Sequence, residues 1–180
     1  MGVLMKSHNP SCSAQKILDK LKLTEIPIDP SVIAKKLGAR VEKDFDFDRM
    51  DESGRIEKID GEYVIWINPI DAPVRQRFTL AHELGHLELH LKTGKVERFE
   101  DTPVTLYRID KESNPQEWEA NRFAAELLMP SDKVKEVFEE LNEYPLYEEY
   151  EVIESMAKKF EVSQAAMRIR LMQINLIQKI

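Results

Sequence analysis

Three of the chain's four histidines lie in one short segment, at positions 82, 86 and 90. His82, Glu83 and His86 form the pattern H-E-x-x-H. On an α-helix, residues four apart lie on nearly the same face, so His86 would lie about 40° around the axis from His82 and Glu83 about 100°. Leucines before and after the motif fall on the opposite side, which can pack into a core. The pattern therefore predicts a helix that presents two imidazoles and one carboxylate to a single cation.

The chemistry that this set favours is metal-assisted hydrolysis of a peptide bond. Two neutral imidazoles leave Zn²⁺ Lewis-acidic, and the pKa of an activated water can then fall to about 7. Glu83 would stand beside the metal without binding it, so it could take the water's proton and deliver it to the leaving amine. The alternative is a buried helix whose polar residues bind no metal.

A third protein ligand is expected, and Glu117 is favoured on geometry. Glu117 and Asn121 are four residues apart on a second predicted helix, so both can face the same cleft and Asn121 can orient a ligand. Two alternatives remain open. Asn114 and Glu117 also have the spacing of a helix-capping box, and Glu119 is a rival ligand on another face.

His90 is a weaker candidate for that third ligand. It lies eight residues after His82, which is roughly 12 Å along a regular helix and too far to share one ion. We therefore expect His90 to support the ligands or to pack beside them rather than to bind the metal.

Two motifs together resemble the ImmA/IrrE family of bacterial metallopeptidases. They are RQRFTLAHELGHLELH, residues 75–90, and EWEANRFAAELLMP, residues 117–130. Further similarity is found in IPIDPSVIAKKLGARV, in the Ser-Gly of DESGRIEK and in FEVSQAAMRIRL, so that the resemblance extends from about residue 14 to about residue 175.

This resemblance implies a compact zincin-like fold, with His82, His86 and Glu117 as ligands of one Zn²⁺ and Glu83 as general base. Another divalent ion such as Mn²⁺ can also occupy a site of this type. The resemblance also implies a protein substrate, a helix-turn-helix transcriptional repressor, which the enzyme would cleave as an anti-repressor. Related zincins bind the substrate as an added strand along a sheet edge, and a strand of the 55–68 region is a candidate for that edge. Candidates for stabilising the oxyanion are His90, Tyr63 and Tyr107.

Composition limits the other possibilities. The chain has 180 residues, 42% of them hydrophobic, and a net charge of −7, which disfavours wholesale binding to nucleic acid or to an anionic membrane. The single cysteine, Cys12, allows no internal disulfide. No apolar run is long enough for a membrane span and the first residues do not resemble a secretory signal, so we expect a cytoplasmic protein.

The pattern along the chain predicts an α+β fold. Helices are expected over residues 13–23, capped by Ser13, and after a cap at Ser31; a strand follows over 39–43. Asp60-Gly61 predicts a hairpin turn between strands 55–59 and 62–68. The H-E-x-x-H segment is expected in a helix of roughly twenty residues that ends near residue 94, and a third helix in residues 113–129. The predicted division is a zincin-like metallopeptidase domain, 1–135, and a C-terminal helical, helix-turn-helix-like subdomain, 136–180, that packs on it.

The C-terminal segment has the spacing of a helix-turn-helix, with a turn near residues 161–162. If it read DNA, Gln164, Arg168 and Arg170 would face the groove. Against this, residues 136–154 contain eight glutamates and no basic residue, which would repel phosphates, so we expect direct DNA binding not to occur. The alternative to a peptidase is a non-enzymatic regulator that binds DNA or a repressor, with a structural metal or none.

Overall fold

A computed structural model describes residues 9–44, 52–92, 98–100, 114–142 and 148–178. These residues form a mixed α+β structure, as the sequence predicts. Its elements, in chain order, are α1 (Pro10–Leu21), α2 (Pro30–Leu37), β1 (Ala39–Lys43), β2 (Gly54–Ile59), β3 (Glu62–Ile67), α3 (Pro73–His86), β4 (Arg98–Glu100), α4 (Pro115–Leu128), α5 (Ser131–Asn142), α6 (Glu149–Phe160) and α7 (Gln164–Gln173).

The first two helices begin earlier than predicted, and their N-caps lie four and two residues before Ser13 and Ser31. Asn9 and Asp29 accept hydrogen bonds from the second residue of α1 and of α2, so each is the true N-cap. Both precede a proline, which suits the first helical position because that position needs no N–H donor. The predicted caps, Ser13 and Ser31, lie inside their helices.

The hairpin prediction is confirmed. β2 pairs with β3 in antiparallel register, from Gly54 opposite Ile67 to Ile59 opposite Glu62. At the turn, Asp60 has φ 49° and Gly61 has φ 90°, so both central residues adopt the left-handed backbone that this turn needs.

The described strands form one sheet in the order β1-β3-β2-β4. β1 runs parallel to β3, and β4 pairs with residues 55–57 of β2. The prediction that a hairpin strand offers a free edge is therefore wrong, because β3 is paired on both sides and β2 is covered along 55–57. Among the described strands, the outer edges belong to β1 and β4.

α3 and α4 carry the predicted site and lie unusually close to one another. A Cβ atom added to Gly85 of α3 would lie 3.0 Å from Cα and 3.1 Å from the carbonyl oxygen of Ala120 on α4. Glycine is therefore needed here for close packing rather than for a special backbone conformation. This close contact allows side chains on the two helices to meet.

The C-terminal helices pack on the same hydrophobic core as the sheet and α3. Val152, Met156 and Phe160 of α6 and Leu171 of α7 are buried in it. Arg77 of α3 donates hydrogen bonds to the carbonyl oxygens of Ile28 and Glu161, which ties α3 to the turn between α6 and α7. The division after residue 135 stays a prediction; α5 runs across it.

Within the described parts of the chain, no helix is both long enough and apolar enough to cross a membrane.

Candidate metal centre

α3 buries all three residues of the H-E-x-x-H motif. His82, Glu83 and His86 have no measurable solvent exposure. The two imidazole rings meet edge to face with their centroids 4.6 Å apart, and their Nε2 atoms are 2.9 Å apart. Two ring nitrogens thus point at one another from adjacent helical turns, as the helical spacing predicts.

Glu117 of α4 completes the group. One carboxylate oxygen lies 3.1 Å from Nε2 of His82, and the other lies 3.1 Å from Nε2 of His86. The backbone N–H of Glu117 donates to the Asn114 side chain, so the backbone half of the predicted cap is present. The carboxylate itself contacts the imidazoles, which favours Glu117 as a ligand over the capping-box alternative.

The other two candidate ligands lie apart from this group. After His86 the helix widens into a π-helical turn, Leu87–Leu91, which contains His90. His90 is buried, and its Nε2 lies 3.4 Å from the carbonyl oxygen of Gln116 and 3.8 Å from the carboxylate of Glu119. Glu119 therefore faces His90 and not the two ligand imidazoles.

The group fits a divalent metal ion. His82, His86 and Glu117 each offer one ligand atom, and these atoms all lie within 4.8 Å of one another. Two imidazoles and one carboxylate form a ligand set that suits zinc at a catalytic site, where three protein ligands leave one position open. The described residues supply three such ligands to the group.

Asn121 orients His82 from behind. Its Oδ1 lies 2.8 Å from Nδ1 of His82 and accepts a hydrogen bond from that nitrogen. Because Nδ1 carries the proton, the lone pair of Nε2 is available on the side of Glu117 and His86. The predicted role of Asn121 in orienting a ligand agrees with this contact.

Burial and contacts hold both kinds of ligand in the form that binds metal. Burial lowers the pKa of His86 to about 4, although the nearby carboxylate of Glu117 opposes this, so the imidazole is neutral at pH 7. Burial alone would raise the pKa of Glu117, but the close imidazoles of His82 and His86 outweigh it and hold that pKa well below its usual range. Glu117 is therefore a carboxylate at pH 7.

The lowered pKa of His86 predicts that the metal-stripped protein is sensitive to acid. The unfolded chain binds a proton at His86 near pH 6.5 and the folded chain near pH 4, so stability is full above 6.5 and falls as pH drops towards 4. The loss should be on the order of 3 kcal/mol, and Glu117 adds to it below its ordinary pKa. Urea unfolding of chelator-treated protein at several pH values measures this loss. In His86→Phe, the free energy of unfolding should fall less steeply as the pH is lowered. An equally steep fall in both proteins would contradict the lowered pKa of His86.

Asn121→Ala should weaken metal binding without removing a ligand. Loss of the hydrogen bond to Nδ1 frees the His82 ring to rotate and to change tautomer, for which a fall in affinity of about 10- to 100-fold is expected. Competition with a chromophoric chelator measures the affinity. Glu119→Ala on the same helix is the matched control and should bind as the wild type does; equal affinity for the Asn121 variant would show that the contact has no such role.

Two of the oxyanion candidates stay predictions. Tyr63 lies in β3 with the Lys58 ammonium 5.5 Å from its ring centre. Tyr107 lies outside the described residues.

Two features near the site were not predicted from sequence. Arg170, a candidate for reading DNA, is instead buried on α7, where it pairs with Glu126 of α4 and donates to the carbonyl oxygen of Met129. A cavity also lies between α4 and α7 beside Asn121. The only sequence signal for the cavity is that Trp118, Asn121, Arg122 and Ala125 recur at helical spacing on α4.

The buried His-His-Glu group on two packed helices is a set of side chains that could hold one metal ion. Residues 30–172 match the family described as the IrrE N-terminal-like domain, peptidase family M78. The chain belongs to this family, which confirms the resemblance seen in the sequence and indicates a metallopeptidase type of function. A comparison with curated proteins finds no match.

Proposed function

We propose that this protein is a zinc-dependent endopeptidase that cleaves a helix-turn-helix transcriptional repressor. The observation that carries the peptidase part is the convergence of His82, His86 and Glu117, with Glu83 next to the first ligand on the same helix. A site that only stabilises the fold has no need of a base beside its ligands.

His82, His86 and Glu117 would hold the zinc, and Asn121 would fix the first of them. When bound, zinc would polarise the scissile carbonyl and make a water molecule more acidic. Glu83 accepts the proton of the attacking water on a carboxylate oxygen and then delivers it to the nitrogen of the leaving amine. Burial of Glu83 keeps bulk water from competing for that proton.

The non-enzymatic alternative receives less support. Structural zinc sites are closed by four protein ligands, whereas the described residues bring three together here. Of the three residues proposed to read DNA, Arg170 is buried and bonded within the protein, and Arg168 pairs with Glu149 at 3.1 Å. A DNA-binding surface built from these residues would lack Arg170, and DNA phosphates would have to compete with Glu149 for Arg168.

The repressor as substrate rests on the resemblance to the anti-repressor peptidases, and a cytoplasmic location rests on the single cysteine, which suits a reducing compartment. The net charge of −7 is compatible with such a substrate, because a DNA-binding protein is usually basic and would be attracted to an acidic enzyme.

Substrate identification by mass spectrometry of newly formed N-termini tests the proposal. Metal-loaded wild-type protein and Glu83→Gln are each incubated with the proteome of the source organism. We expect new N-termini with the wild type only, and we expect them to fall within a helix-turn-helix repressor. Wild-type termini confined to other classes of protein would refute the repressor substrate, and identical termini in both samples would refute the peptidase.

A further inference from the structure

A cavity of about 230 Å³ lies between α4 and α7, next to the metal centre. Asn121 forms part of its wall, and the same side chain holds Nδ1 of His82. The cavity and the ligand group are thus separated by a single residue. A substrate whose scissile bond lies at the ligand group has this cavity within reach of a neighbouring side chain.

The floor of the cavity is apolar and buried. Phe78, Ala125, Met129 and Ala166 line it, and each is at most 9% exposed. Four polar side chains also line the wall; Gln173 is exposed and Arg122 is partly exposed, and the groups of the other two are already engaged. Oδ1 of Asn121 is bonded to His82, and Arg170 is bonded to Glu126, to the Ser131 hydroxyl and to the Met129 carbonyl. The floor therefore offers a ligand apolar contacts, and the polar groups lie on the wall and at the mouth.

The volume suits a large side chain. A cavity of about 150 Å³ lined by apolar residues can hold a benzene molecule, so the space between α4 and α7 is large enough for the side chain of Leu, Met or Phe. It is smaller than the roughly 300–1,000 Å³ typical of pockets for drug-sized ligands. The dimensions therefore favour one side chain of a polymer over a free cofactor.

A cation stands at the mouth of the cavity. Trp118 and Arg122 are partly exposed there, and the Arg122 guanidinium lies 5.0 Å from the centre of the Trp118 ring. Arg122 forms no ion pair with any residue that the structure describes. A partly desolvated guanidinium that forms no ion pair among the described residues favours an acidic group on the ligand.

We propose that this cavity is a specificity subsite that binds one large apolar side chain of the substrate, while Arg122 binds an acidic residue next to it. The inference rests on the proposed peptidase function and adds the sequence that the enzyme prefers. Ala125, Ala166 and Ile169 set the size of the subsite, and Arg122 sets the preference for charge.

Cleavage of a fluorogenic peptide library tests the subsite. The peptides vary between Ala, Leu and Phe at each position around the scissile bond, and between Glu and Lys at the adjacent position. For the metal-loaded wild type we expect kcat/KM to favour Leu or Phe over Ala about tenfold at one position. Ala166→Leu fills the cavity and should remove most of that preference, whereas Ile169→Ala should shift it towards larger side chains. Arg122→Gln should reduce the ratio of Glu to Lys peptides about tenfold.

The matched control is Ala165→Leu, since Ala165 is exposed on α7 and does not line the cavity. It should leave the size preference and the ratio of Glu to Lys peptides unchanged.

A second readout does not depend on catalysis. The chain has two tryptophans, Trp66 and Trp118, so a Trp66→Phe protein reports on the cavity through Trp118 fluorescence alone. N-acetylphenylalanine amide should change that fluorescence at concentrations where N-acetylalanine amide does not, and Ala166→Leu should abolish the difference.

The outcomes separate the two proposals. Cleavage with a size preference that neither cavity variant moves would overturn the subsite and leave the peptidase standing. Binding of the phenylalanine amide without cleavage of any peptide would refute the peptidase, and with it the role of the cavity as a peptidase subsite. If Ala166→Leu removes the preference for large side chains and Ile169→Ala shifts it towards still larger ones, the subsite is supported.

Discussion

Glu83→Gln is expected to lower peptide cleavage by about 10²- to 10⁴-fold while metal binding stays at the wild-type level. Glutamine has nearly the same size and can fill the same buried position, but its amide cannot take a proton from water at neutral pH. Glu83 is not one of the three ligand residues, so its loss should leave them in place. The measurement is kcat/KM on a cleaved peptide, together with metal content of the same preparation.

Glu88→Gln is the matched control for this prediction. Glu88 lies on the π-helical continuation of α3 and pairs with Lys92 at the surface, away from the ligand group. It should cleave as the wild type does. A Glu83→Gln protein that retains its metal and its full rate would show that another group is the general base.

Arg170→Ala is expected to destabilise the protein by about 3–5 kcal/mol, because it leaves the carboxylate of Glu126 buried without its cation. Both side chains are almost fully buried, at 3% and 6% exposure. Arg170 also donates to the Met129 carbonyl and to the Ser131 hydroxyl, so one side chain joins α7 to the junction of α4 and α5. Chemical unfolding of the metal-free protein measures the loss.

Arg168 gives the matched comparison, since it is two residues earlier on the same helix. It pairs with Glu149 but is 34% exposed, so Arg168→Ala should cost less than about 1 kcal/mol. The double variant Arg170→Met/Glu126→Gln removes both charges and keeps an acceptor for the Ser131 N–H, so it should recover much of the stability. Equal losses for Arg168→Ala and Arg170→Ala would contradict the buried pair.

The features that sequence predicts well here are those encoded by local spacing. Four-residue spacing on a helix brings His82 to His86 whatever the rest of the chain does, and the Asp60-Gly61 pair demands positive φ at both positions. The contact of Glu117 with both imidazoles is different. It depends on how closely α4 approaches α3, and Gly85 permits that close approach. Spacing alone could not decide between Glu117 as a ligand, Glu117 as part of a helix cap, and Glu119 as the ligand.

The errors arise where long-range packing decides the outcome. The sequence offers Arg170 only as a conditional candidate for reading DNA and does not show its buried partner, Glu126, which lies forty-four residues away. The 55–68 hairpin looked like an edge because the sequence does not show that β1 and β4 pair with its two strands. The helix starts at Pro10 and Pro30 were missed because Asn, Asp and Ser cap about equally well, and the proline at the first helical position decides for Asn9 and Asp29.

The central claim is that His82, His86 and Glu117 bind one catalytic metal ion, and metal content per chain tests it most directly. Elemental mass spectrometry is applied to wild type, Glu117→Ala and the control Glu119→Ala after identical zinc loading and dialysis. We predict about one zinc ion per chain in the wild type and in the Glu119 variant, with a clear loss in Glu117→Ala. Equal metal in all three proteins would contradict the assignment of Glu117, and a wild type that takes up no zinc would contradict the metal centre itself.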